Sequence, residues 1–137
     1  MANATVAQIL EGLRVRLDTI AGLHAHAEQP DVILTPAAWP SLVGIEYDDT
    51  LDATDLLKFE VNVAAAPAQG GLAKGYAATY LYLASSGAKS LKAALEADVT
   101  LGGLVDTLVV ADSAAVGAYQ AAGLAYIGGK LTVNVYT

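Results

Sequence analysis

Asp48, Asp49, Asp52 and Asp55 form the densest group of potential cation ligands in the chain. A hard cation such as Ca²⁺ takes several carboxylate oxygens from a loop of about this length. The spacing is not that of an EF-hand, since there is no D-x-D-x-[DN]-G core and no closing glutamate. The competing reading is a solvated acidic loop. His24 and His26, at i and i+2, can point to one side of a strand, but a catalytic zinc site needs a third ligand and an open position. The chain has only two histidines, and they read as surface residues following a helix end. Ser41, Ser85, Ser86, Ser90 and Ser113 lie in no G-x-S-x-G elbow and have no histidine nearby in sequence, so a triad would have to be assembled in space. Gly70-Gly71-Leu72-Ala73-Lys74 lacks the four-residue spacer and Gly-Lys-Ser/Thr ending of a phosphate loop and reads as a helix start. Tyr76, Tyr80 and Tyr82 have the π-faces on which bases stack, but no Arg or Lys is interleaved, so packing is expected, with Tyr82 opposite Tyr76 and available to an interface. No catalytic residue, metal or cofactor is expected.

The elements that position these residues must come from a chain of 137 residues, most simply one domain, with enough length to bury roughly two-thirds of its unfolded surface. Hydrophobic residues make up 55% and aromatic ones 7%, so the core is built from small aliphatic pieces. Fourteen acids against seven bases give a net charge of −7, which argues against a phosphate-neutralising surface. Zero cysteines exclude a disulfide framework and suit assembly in a reducing cytosol. No signal peptide is readable and no run approaches the roughly 18 apolar residues of a membrane span, so a soluble intracellular protein is expected.

Val6, Ile9, Leu10, Leu13, Leu17 and Ile20 recur at helical spacing, with Asn3 as the cap and Gly22 as the stop. Gly12 inside this helix would allow close packing on a sheet. His24 to Pro40 reads as irregular around a short strand at Val32 to Thr35, because Pro30, Pro36 and Pro40 interrupt it. Leu42 to Tyr47 reads as a strand. Leu57 to Ala64 alternates, with Leu57, Phe59, Val61 and Val63 opposed to Lys58, Glu60 and Asn62. A helix is expected over Leu72 to Ala84, with Leu72, Tyr76, Tyr80 and Leu83 at helical spacing. Ser90 caps a shorter one carrying Leu91, Ala94 and Leu95. Asp106 to Asp112 and Leu124 to Thr137 read as strands, with a bulge at Gly128-Gly129. The small-residue stretch from Ser113 to Gly123 reads as an exposed loop or a partly ordered arm. The class is α+β: a mostly antiparallel sheet with helices packed on one face.

Between the short helix and the Asp106 strand lies Thr100-Leu101-Gly102-Gly103, preceded by Glu96 and Asp98. Two glycines permit positive φ, so the segment is a turn that positions backbone. ALEADVTLGGLVD resembles the "A-acid-x-TLGG-x-V-x-D" segment of siphophage tail terminator proteins, small subunits that form rings at the head-proximal end of a long non-contractile tail. The resemblance extends in order along most of the chain. It takes in the amphipathic first helix, Pro-Ala-Ala-Trp-Pro at Pro36 to Pro40, the Phe59 to Val63 strand, the Tyr80 to Gly87 helix end, Ser90 to Leu95, and the final Tyr-Ile-Gly-Gly-Lys-Leu-Thr-Val-Asn-Val strand. Val99 departs from it, standing where proline is expected.

The resemblance implies a tail-terminator-like domain over the whole chain and a structural virion protein without enzymatic activity, assembled in the host cytoplasm. It implies a hexameric ring that stops tail-tube polymerisation, caps the tail and joins it to the head. The implied partners are further copies of the chain, the major tail tube protein and the head-completion or stopper protein; phage DNA passes through without sequence-specific binding, and no membrane is involved. A closed ring needs one patch on each side of the subunit. The candidate interface residues are Leu72, Tyr76, Tyr80 and Tyr82 with Thr100, Leu101, Gly102 and Gly103. Asp48, Asp49, Asp52 and Asp55 either line the channel, repelling DNA in transit, or solubilise the outer rim. The alternatives are another neck or tail component (a head-tail adaptor, stopper or tail tube subunit), a small cytosolic hydrolase, or a host-directed binding module.

Overall fold

The computed structural model of the chain describes residues 4–47 and 55–137, and its first element follows from a reciprocal cap. The Thr5 hydroxyl accepts a hydrogen bond from the Gln8 backbone N–H (3.2 Å), and the Gln8 side-chain carbonyl accepts one from the Thr5 N–H (2.8 Å). Two donors that helix geometry leaves orphaned are thereby satisfied. Helix α1 spans Val6–Leu17. The expected cap, Asn3, lies outside the described residues. Ile9, Leu10, Leu13 and Leu17 are buried. The helix stops at Asp18, earlier than Gly22, and Ile20 is buried from the turn that follows.

A five-stranded sheet in the order β1-β2-β3-β5-β4 carries the fold: β1 His24–Ala25, β2 Ala37–Glu46, β3 Leu56–Pro67, β4 Thr107–Ala121 and β5 Leu124–Tyr136. The short β1 pairs parallel to β2, and every other pairing is antiparallel. Between β3 and β4 come a 3₁₀ turn (Ala68–Gly70), α2 (Leu72–Leu83) and α3 (Leu91–Glu96). The protein is therefore α+β, as the sequence leads one to expect. Among the described residues no helix is long and apolar enough to cross a membrane.

Alternation in β3 is realised in full: Leu57, Phe59, Val61 and Val63 are buried, and Lys58, Glu60 and Asn62 lie on the opposite face. The inward side chains meet α1, α3 and the inward residues of β5, Leu131, Val133 and Val135. Burying a side chain such as Phe59 contributes about 1.5–3 kcal/mol relative to exposure. On the opposite face Lys58 pairs with Glu46 (3.3 Å) and Lys130 with Glu60 (3.6 Å). Such exposed pairs are worth about 0–1 kcal/mol each.

Three expectations need correction. Val32 to Thr35 is not a strand. Instead β2 begins at Ala37, within the stretch that its prolines mark as irregular. Ala38 turns its carbonyl toward β1, accepting from His26 N–H, so Pro40, two residues on, faces the same way. β1 has ended there, and an unpartnered edge tolerates a residue with no N–H.

Second, Ser113 to Gly123 is ordered strand, which extends β4 and returns through a two-residue turn at Ala122 (φ +50°) and Gly123 (φ +76°). Positive φ at both positions suits the twist of a hairpin. Third, the bulges near Gly128-Gly129 are inserted in the neighbours: the pairing slips by a residue at Ala65 of β3 and across Ala115-Val116 of β4. A Cβ on Gly128 would lie 1.8 Å from the Val63 carbonyl oxygen, so β5 is bare where β3 bends over it.

Candidate functional site

Asp98, just beyond α3, organises the turn that carries the resemblance. Ser90 begins that helix, accepting from Ala93 N–H (3.1 Å) and donating to the Ala84 carbonyl (2.6 Å). At its far end Asp98 Oδ1 accepts from the Thr100 hydroxyl (3.0 Å) and N–H (3.3 Å), and Oδ2 accepts from Gly102 N–H (3.0 Å). The Thr100 hydroxyl's bond foremost holds the carboxyl below the usual aspartate range; desolvation opposes it, and the Gly102 and Thr100 N–H groups and the Arg16 charge add smaller downward contributions. Leu101, Gly102 and Gly103 all have positive φ, at +50°, +71° and +92°. Glycine adopts this region freely, whereas for leucine it costs about 1–2 kcal/mol. Burial of the Leu101 side chain, 5% exposed, offsets that cost.

Leu101 and Leu104 rest on α1 at Gly12, where an added Cβ would come 3.1 Å from Leu104 and 3.3 Å from Leu101. Gly12 thus admits the turn and does not serve sheet packing, which corrects the expectation for it. An open groove of about 540 Å³ remains alongside, floored by Ala7, Gly12, Val15, Leu101 and Leu104 and rimmed by Gln8, Glu11, Arg16 and Asp98. Glu11 accepts two hydrogen bonds from Arg14, at 2.8 and 2.6 Å, which hold its carboxyl low and push the guanidinium up. Arg16 donates to the Ala94 carbonyl (3.0 Å) and ties α1 to α3.

Helix α2 offers a second surface. Gly75, Thr79 and Tyr82 form its buried side, because only a residue without Cβ fits beneath Ile127; a Cβ at Gly75 would stand 2.7 Å from Ile127 Cγ1. Thr79 donates to the Gly75 carbonyl (2.8 Å). Tyr82 is 3% exposed, with its phenol pushed up by burial, and is not available to an interface as expected. Leu72, Tyr80 and Leu81 remain 54–61% exposed, and Tyr76 lies half-buried with its ring tilted against that of Tyr80.

Of the expected interface residues, Leu72, Tyr76 and Tyr80 are thus accessible, Tyr82 and Leu101 are core, and Thr100, Gly102 and Gly103 shape a turn beside the groove. Asp48, Asp49 and Asp52 lie outside the described residues. Asp55 is half-buried, its carbonyl accepting from Thr137 N–H (3.1 Å). His24 places Nδ1 3.0 Å from the Pro36 carbonyl. Among the described residues no three His, Asp or Glu side chains gather around a common point.

The far face of the sheet holds an aromatic cluster that sequence reasoning missed. Trp39 meets Tyr126 edge-on (6.3 Å, 76°), and Tyr126 stacks on Tyr119 (5.6 Å, 20°), with Ile33 buried beside them. Burial, and then the neighbouring Tyr119, push the Tyr126 phenol up. The groove was also missed, its only trace being the glycine inside α1. No family model matches this chain, and no curated protein matches it.

Proposed function

We propose that the chain is a tail-terminator subunit, which closes into a ring at the head-proximal end of a siphophage tail tube, stops its growth and joins it to the head-completion proteins. The observation that carries this reading is the Asp98-organised turn, where the acid and the T-L-G-G residues of the resemblance each have a defined task, lying beside an open apolar groove. The accessible side of α2 provides a second apolar surface of different shape. Two unlike surfaces are what a head-to-tail ring requires, since each subunit contacts its two neighbours through different patches.

Negative-stain imaging of the purified protein, with and without tubes of its major tail protein, tests the reading. Closed rings alone and shortened tubes capped at one end are expected. Isolated monomers that leave tube growth unaffected would contradict it. The second reading, a tube subunit, is favoured by the fifteen-residue edge strand β4, whose outer residues include Val109, Ala111, Ala114 and Val116 and no lysine. Such an edge is a template for strand pairing. Open cylinders formed by this chain alone would select that reading.

A further inference from the structure

We propose that the contact closing the ring is a helix-in-groove joint: the outer side of α2 from one copy seats in the groove between α1 and the Asp98–Leu104 turn of the next. The inference rests on the ring reading above and assigns the two surfaces to each other.

Ala73, Ala77, Tyr80 and Leu81 recur at i, i+4, i+7 and i+8 on the side of α2 turned away from Gly75, Thr79 and Tyr82. This is a second apolar stripe on a helix whose first stripe is already buried. Its two alanines let a helix approach closely, and Tyr80 and Leu81 project as anchors, the pattern by which an amphipathic helix fills an apolar trough. The groove floor of Ala7, Gly12 and Val15 is low on the α1 side, and Val15 is 48% exposed.

Charge selects the pairing. From Val61 to Leu95 the sequence holds Lys74, Lys89 and Lys92 and no acid, while the rest of the chain holds four bases against fourteen acids. Lys92 is taken up by Glu96, and Lys89 lies over the Tyr82 ring. Lys74 borders the outer stripe, is exposed, and takes part in none of the ion pairs among the described residues. The groove rim presents Glu11 and Asp98, and Arg16 on the same rim is directed to the Ala94 carbonyl. Glu11 is shared with Arg14 of its own helix, so in the head-to-tail arrangement Lys74 meets individual rim carboxylates and not a field of net negative charge.

The absence of cysteine makes cross-linking a clean test. With Leu81→Cys and Val15→Cys in one chain, oxidation should give a ladder of covalent oligomers ending at the ring. Leu81→Cys alone should give little dimer. Val15→Asp and Leu81→Asp, both at exposed positions, should each weaken self-association about tenfold or more while the monomer, compared at concentrations too low to assemble, keeps its melting temperature. Lys74→Glu and Glu11→Lys should each weaken it, and the double variant should recover it.

Rings that form while the paired cysteines fail to cross-link would overturn the joint and leave the ring reading standing. Efficient dimerisation of Leu81→Cys alone would overturn it in favour of a two-fold contact. If Val15→Asp keeps the ring but no longer binds tail tubes, the groove belongs to the tube protein and the proposal fails. A wild-type chain that stays monomeric at every concentration defeats both readings together.

Discussion

The Asp98–Leu104 turn and the β4–β5 hairpin arm both depend on glycine, yet only the first is readable by eye. The turn is held by contacts within four residues: Asp98 to Thr100, Asp98 to Gly102, and Gly103 N–H to the Thr100 carbonyl. The arm is held by a partner strand, with Ser113 opposite Leu131 and Gly117 opposite Gly128. Local hydrogen bonds leave their mark in neighbouring letters. A ladder leaves its mark in two distant stretches at once, and residues such as Ser113-Ala114-Ala115 carry no alternation that announces it.

The largest test of this contrast is at the base of the arm. Gly128→Val places a side chain against the Val63 carbonyl and should cost about 3 kcal/mol or more, or abolish folding, as read by chemical denaturation. In the turn, Leu101→Ala keeps the left-handed backbone and loses the anchor, for an expected loss of about 2–3 kcal/mol by the same assay. A loss below about 1 kcal/mol would mean that the turn is not anchored through Leu101. Gly123→Ala, at the tip of the arm, should cost about 1 kcal/mol from its positive φ alone.

Asp98→Asn sharpens the comparison through pH. The Asp98 carboxyl titrates lower when folded than when unfolded, so its contribution is complete above the ordinary aspartate range and is lost as pH falls through the folded value. The melting temperature of the variant should therefore fall below the wild type at neutral pH, and the gap should narrow in acid. A gap independent of pH would contradict the assigned bonds. Smallest of all, Glu60→Gln on the polar side of the sheet should change stability by less than about 1 kcal/mol.

The same contrast explains what was legible elsewhere. The clean alternation of Leu57 to Val63 fixes both the strand and its buried side. The first helix is plain from its spacing, although its described cap is Thr5. The α2 helix was legible as a helix and misjudged in its orientation, because it is apolar nearly all round, and a glycine decides which side is buried. Trp39 between two prolines looked like irregular chain, because a proline at an open strand edge costs little and the letters do not say where the edge lies. The groove belongs to no single segment. It arises where Gly12 of α1 lets Leu101 and Leu104 come near, and neither stretch predicts the other.

The claim on which the functional reading rests is that copies of this chain close head to tail through two unlike surfaces. Native mass spectrometry of the unmodified protein measures that directly, against a single-chain mass of 14.0 kDa. The account predicts one closed oligomer of fixed subunit number, hexameric by the resemblance, which persists as salt is raised from about 50 to about 500 mM, because the joint is mainly apolar and salt also screens the repulsion between subunits of net charge −7. A monomer throughout, or a continuous distribution of open polymers, would contradict it.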